Sequence, residues 1–194
     1  MAKKKRFTPE ERAAMFEPTY FFGYGSLMNA AGINGRHMAK KYQNSDLTPC
    51  SLRGFSRSMC AYYGGRNFYG LLEKDPSYLN GVVFRVHSWY DYRALLDSEG
   101  ATSRYKKFRT YWPVRVTDQM LGWEAPKGFR VMTLVCKKDK SDLGRVERSY
   151  IRFCHQAALV WGKQFANEFL ATGGVPYNRS KMANIAKKLK IKLW

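Results

Sequence analysis

The sequence predicts an α+β domain of mostly antiparallel strands, and three observations predict it. Runs rich in aromatic and β-branched residues recur between Gly, Pro and Asp turns over the first two-thirds of the chain. Apolar residues at spacings of three and four mark a helical face in the last third. No internal repeat, low-complexity linker or composition break divides the 194 residues, so one core is expected.

The elements follow in order. Thr8-Pro9-Glu10-Glu11 starts a short helix, with Thr8 as cap, Pro9 in the first turn and Glu11 as the reciprocal acid of a capping box. Thr19 to Phe22 is a strand that runs into the glycine loop Gly23-Tyr24-Gly25-Ser26-Leu27-Met28. Asn29 to Tyr42 is polar, mixed and weakly helical. Leu47 to Tyr63 carries strand pieces broken at Gly54, and Phe68 to Leu72 and Leu79 to Val86 are two strands separated by the turn Lys74-Asp75-Pro76-Ser77.

Ser88 caps a helix with Asp91 three residues on, and that helix runs through Leu95 and Leu96 to a stop near Gly100, leaving Glu99 at its end beside a loop. Tyr105 to Val116 and Phe129 to Cys136 alternate as strands, joined by a loop with Gly122, Pro126 and Gly128. Between Arg145 and Ala171 the residues Ile151, Cys154, Ala158, Trp161, Phe165 and Phe169 share one face of what reads as the main helix. Ser180 caps a last helix, basic and amphipathic, with Met182, Ile185 and Leu189 on its apolar face.

Lys and Arg number 34 against 15 Asp and Glu, a net charge of +19. Much of it sits at the ends: Lys3, Lys4, Lys5 and Arg6, then Arg179, Lys181, Lys187, Lys188, Lys190 and Lys192 with no acid among them. Such tails point to nonspecific contact with nucleic acid or another anionic surface. The four cysteines have no CxxC spacing and the three histidines no zinc-ligand pattern, so no metal and no cofactor is expected. The basic start lacks a following apolar segment, and the uncharged stretch 18–35 is too rich in Gly and Asn for a transmembrane helix. A cytoplasmic protein with reduced thiols is the expectation.

The glycine loop is neither a dinucleotide fingerprint, which would need Gly at Met28, nor a nucleophile elbow, since Leu27 follows Ser26. It remains a loop able to bring backbone N–H groups close to a small anion or a developing oxyanion. Five segments in order resemble the γ-glutamylcyclotransferase superfamily. Phe22-Gly23-Tyr24-Gly25-Ser26-Leu27-Met28 is similar to its substrate loop, in the form of the glutathione-cleaving ChaC type, and Leu52-Arg53-Gly54-Phe55-Ser56-Arg57 to the strand that follows. Gly81 to Val86 resembles a second strand, Leu95 to Gly100 with Tyr105 the segment that holds the catalytic Glu, and Ser149-Tyr150 the opening of the long helix. Leu96 stands where the family usually has Asp, with Asp97 one place nearer Glu99.

The resemblance implies a small mixed β-barrel with flanking helices over 18–178, between a basic N-terminal extension with a short helix (1–17) and a basic tail (179–194). It implies that a γ-glutamyl amine or peptide is cyclised to 5-oxoproline with release of the amine. Glu99 is then the acid–base catalyst, and Tyr24, Gly25, Ser26, Leu27, Tyr105 and Tyr150 bind the substrate. The loop would hold either the substrate's α-carboxylate or the tetrahedral oxyanion. The alternative is an inactive domain of the same fold whose basic surface binds nucleic acid or a protein partner.

Overall fold

A computed structural model describes residues 8–102 and 110–173. Tyr105, the basic ends and the helix expected after Ser180 lie outside the described residues. The order is α1 (Pro9–Ala14), β1 (Thr19–Gly23), α2 (Ala30–Asn34), β2 (Leu47–Tyr63), β3 (Arg66–Val86), α3 (Trp89–Ser98), β4 (Trp112–Arg115), β5 (Met120–Leu121), β6 (Arg130–Val135), β7 (Arg145–Val146), α4 (Arg148–Leu159) and α5 (Lys163–Thr172). The α+β expectation holds. Among the described residues no helix is long and apolar enough to cross a membrane.

The strands form one mixed sheet in the order β4-β6-β1-β3-β2-β5, with β7 beside β3. β1 lies at its centre, antiparallel to β3 through Phe22↔Val83 and parallel to β6 through Tyr20↔Val131. Only a 3-10 turn, Thr117–Gln119, joins β4 at one end of this order to β5 at the other. Val116 N–H donates to Val131 O at 2.9 Å, and Met120 pairs with Leu52 of β2. The two ends of the sheet are therefore close in space, and the sheet curls into a half-barrel.

Alternation along β1 assigns its faces. Phe22, 0% exposed, packs with Ile151, Cys154, Ala158 and Phe169 of α4 and α5. Phe21, 1% exposed, faces the opposite core with Ile33 of α2 and Leu95 of α3. Val82, Val83 and Phe84 alternate in the same way. Each such ring or branched side chain contributes roughly 1.5–3 kcal/mol on burial, which fixes the register of β1 and hence the position of the loop that follows it.

Five expectations are corrected. β2 is continuous through Gly54, which takes φ +80° where the pairing register shifts between Arg53 and Phe55. β3 is one strand, and Lys74 to Ser77 stand out of its ladder opposite that shift, so the turn residues make a bulge rather than a strand break. The segment between β4 and β6, read as loop, holds β5. The main helix is two: α4 stops at Leu159, and Gly162, at φ +97°, is the residue from which α5 starts. Tyr105 to Val116 forms β4 over Trp112–Arg115 only, within its described part.

Of the helix caps read from the sequence, those at Thr8 and Ser88 are present. Thr8 Oγ1 accepts from Glu11 N at 3.2 Å while the Glu11 carboxylate accepts from Thr8 N, and Ser88 Oγ accepts from Asp91 N at 3.1 Å. In α2, Gly32 lies against the glycine loop, where a Cβ would overlap the Ser26 carbonyl oxygen. Gly32→Ala is expected to push α2 off the loop and destabilise the fold by about 2 kcal/mol. That corresponds to a Tm roughly 4–8 °C lower in a thermal melt.

Candidate active site

The loop after β1 is fastened from several sides. Arg57 Nε donates to Tyr24 O at 2.8 Å, Trp161 Nε1 to Met28 O at 2.7 Å, and the Tyr24 hydroxyl to Leu134 O at 2.7 Å. Met28 N closes the turn on Gly25 O at 3.3 Å. Among the described residues the backbone N–H groups of Gly25, Ser26 and Leu27 find no acceptor. Unpaired donors in a row are rare inside proteins and suit a site built for an acceptor.

Across from the loop, α3 delivers Glu99. Leu95 and Leu96 anchor the helix in the core, Glu99 caps its end with its N–H on Leu95 O at 3.1 Å, and Gly100 leaves at φ +65°. The carboxylate is 14% exposed, and its Oε1 lies 2.6 Å from Arg36 Nε. That contact is an ion pair whose two atoms are buried and, among the described residues, make no aligned hydrogen bond. Burial pushes the Glu99 carboxyl above the ordinary range, and the Arg36 charge opposes the push without cancelling it. Arg36 Nη2 also donates to Ser26 Oγ at 2.7 Å, which ties the loop to the catalytic candidate.

Loop and Glu99 border a cavity of about 450 Å³ lined by Ser26, Arg36, Asp97, Tyr111 and Tyr150, with Tyr63, Phe68 and Phe153 as its aromatic wall. Its size suits a small ligand. A recess of about 20 Å³ lies beside it, bordered by Tyr24, Gly25, Leu27, Tyr69 and again Ser26, Glu99, Tyr111 and Tyr150. The Tyr150 hydroxyl accepts from Tyr69 N at 3.3 Å, and the Tyr111 hydroxyl donates to Tyr69 O at 2.6 Å. Burial holds Tyr24, Tyr111 and Tyr150 well above the usual tyrosine range, so all three stay neutral.

Glu99, Tyr24, Gly25, Ser26, Leu27 and Tyr150 thus border one recess, while Tyr105 lies outside the described residues. Their contributions differ in kind. Tyr24 and Leu27 have buried side chains, and the Tyr24 hydroxyl is engaged by the protein, so these two line the recess while their side chains belong to the core. Sequence reading missed Arg36, Tyr111 and Phe153. Tyr111 fell inside a strand whose alternation was visible; Arg36 is one of 34 basic residues and no local pattern sets it apart.

No protein-family model matches the chain, and no curated protein matches its sequence. Solved structures do match. A γ-glutamyl cyclotransferase superposes with a TM-score of 0.54 over 89% of this chain and 99% of its own, at 14% identity. An uncharacterised protein from Homo sapiens gives the same values. YkqA from Bacillus subtilis superposes with a TM-score of 0.60 at 18% identity, over 82% of this chain. The chain has the γ-glutamylcyclotransferase fold. It spans 55% of the length of YkqA. Within the γ-glutamylcyclotransferase fold described above, the cavity opens between the loop after β1 and the end of α3.

Proposed function

We propose that the chain is a γ-glutamylcyclotransferase, acting on a γ-glutamyl amine or peptide. The observation that carries this reading is the pairing, across one cavity, of a buried carboxylate with a turn whose consecutive N–H groups find no acceptor among the described residues. The two halves answer the two needs of the reaction.

In a γ-glutamyl amide the α-nitrogen can reach the γ-carbonyl and close a five-membered ring, so the substrate supplies its own nucleophile. Holding the chain curled is worth up to roughly 7–11 kcal/mol of the barrier. Glu99 as carboxylate takes a proton from the α-ammonium, and the freed amine attacks the γ-carbon. The carbonyl π pair moves to oxygen, and the N–H groups of Gly25 to Leu27 are the donors available to that oxyanion. When the oxyanion collapses, the C–N bond to the leaving amine breaks, Glu99 returns the proton to that nitrogen, and the second proton still on the ring nitrogen follows by way of Glu99, so that the amine leaves in its ammonium form. The products are 5-oxoproline and a free amine, with no water consumed. Tyr63, Phe68 and Phe153 border the space left for the departing group.

The test is 5-oxoproline release, followed by mass spectrometry, from glutathione, γ-glutamyl dipeptides and γ-glutamyl-lysine. Product from one or more of them is expected, and the preferred member names the branch of substrate. Absence of product from the whole panel would remove the proposal.

A further inference from the structure

We propose that Arg36 is the receptor for the substrate's α-carboxylate, and that the Arg36–Glu99 pair is exchanged on binding for two new pairs with the substrate's α-amino-acid head. This inference rests on the cyclotransferase reading and deepens it, by assigning the α-carboxylate to a side chain and leaving the loop N–H groups to the oxyanion.

Three observations support it. First, Arg36 stands between the two halves of the site, with Nη2 2.7 Å from Ser26 Oγ and Nε 2.6 Å from Glu99 Oε1. Second, the pair is incompletely satisfied, because Nε and Oε1 are both buried and neither makes an aligned hydrogen bond among the described residues. A guanidinium carries five donors in a fork that fits a carboxylate, and Nη1 has no partner among the described residues. Third, the chemistry of the ligand matches. The α-ammonium and α-carboxylate share one carbon, so a receptor for both must present an anion and a cation side by side, as Glu99 and Arg36 do.

The exchange has a consequence for the chemistry. With Arg36 engaged by the α-carboxylate, Glu99 faces the α-ammonium, the proton it has to remove. A γ-glutamyl compound whose α-carboxylate is blocked as an amide leaves the guanidinium on Glu99 and the head misplaced. The site therefore selects an unblocked glutamyl head, whatever amine is attached at the γ-carbon.

The route of the chain explains how Arg36 comes to lie there. α2 ends at Gly35, Arg36 N–H donates to Ile33 O at 3.0 Å, and His37 turns the backbone with φ +59°, the one positive φ outside glycine among the described residues. Asn29 caps the same short helix through Gly32 N at 2.8 Å, directly after the loop, so loop and arginine are the two ends of one compact unit.

The experiment measures binding, so that it does not depend on turnover. L-Glutamate and its α-carboxamide, L-isoglutamine, are titrated by calorimetry into the wild-type chain, Arg36→Gln and Arg36→Lys, with folding checked by circular dichroism. The wild type is expected to bind L-glutamate about 10- to 100-fold more tightly than the amide. Arg36→Gln brings that ratio near one, and Arg36→Lys keeps only part of it because a single ammonium lacks the fork. An arginine that served only as counter-ion to Glu99 would leave the ratio unchanged when replaced, and that result overturns the inference. So does a wild type that binds neither probe. Should Arg36→Gln fail to fold, an undiminished ratio in Arg36→Lys overturns it equally. If the ratio collapses while the panel yields no 5-oxoproline, the arginine assignment stands and cyclisation falls; if the panel is turned over and the ratio survives in Arg36→Gln, the reverse holds.

Discussion

Glu99→Gln is expected to lower 5-oxoproline release by about 1,000-fold, within the range of removing a positioned acid–base group, and to leave the fold intact. The amide keeps the shape of the side chain and its contact with Arg36 but cannot carry a proton between the α-nitrogen and the leaving amine. The stability of the variant reports on the same group. The Glu99 carboxyl is raised by burial, so the folded state holds its proton to higher pH than the unfolded state does. Below the ordinary glutamate range both states are protonated and nothing is lost. As the pH rises toward the raised folded value, the wild type loses stability that the Gln variant retains. Thermal melts at pH 4 and pH 7.5 should therefore show Glu99→Gln gaining on the wild type at the higher pH. A variant with full turnover, or one less stable than the wild type at pH 7.5, would mean that the carboxylate is held for structural reasons.

The second large effect lies behind the loop. Arg57 is fully buried on β2. Its guanidinium donates to Tyr24 O at 2.8 Å, Phe169 O at 3.0 Å, Thr172 Oγ1 at 2.9 Å and Asn80 Oδ1 at 3.2 Å, and also to Asn80 O, while Cζ sits 4.4 Å from the Phe169 ring centre. Burial lowers its pKa to about 10, so the charge persists at neutral pH and is met by carbonyl dipoles, among them those at the C-terminal end of α5. Replacing it with Met removes the cost of a buried charge but leaves several buried carbonyls without donors, at roughly 1–3 kcal/mol each. The second effect wins. Arg57→Met is expected to lose about 3 kcal/mol net, a fall in Tm of roughly 6–12 °C, and at temperatures where it stays folded to raise KM through the released Tyr24 carbonyl. A melt within 2 °C of the wild type would show that the carbonyls find other donors.

Local signals were legible in the sequence where short-range chemistry decides. The caps at Thr8 and Ser88, the aromatic strand opening into Gly23 to Met28, and Glu99 at the end of a helix all follow from neighbours within a few residues. What tertiary packing decides was not legible. Gly162 inside an apolar helical pattern reads as a tolerated glycine, and only the need of α5 to close the core makes it a break. Lys74 to Ser77 read as a turn because the sequence does not say that β2 supplies partners on both sides of them. Arg57 and Arg36 show the same limit for charge. One is buried as a structural clamp and the other faces the cavity, yet nothing in the residues beside them distinguishes the two.

The parallel pairing of β1 with β6 also sets an order of assembly. Thr19 to Phe21 can dock on β3 once residue 86 has been made, but their second neighbours, Arg130 to Met132, come more than a hundred residues after β1. The β2–β3 hairpin, whose turn is Gly64-Gly65, closes a short loop and can form while the chain is still being synthesised. β1 then waits with one open edge until β6 arrives. The glycine loop hangs from that strand, so the cavity beside it cannot be completed before β6 has been made.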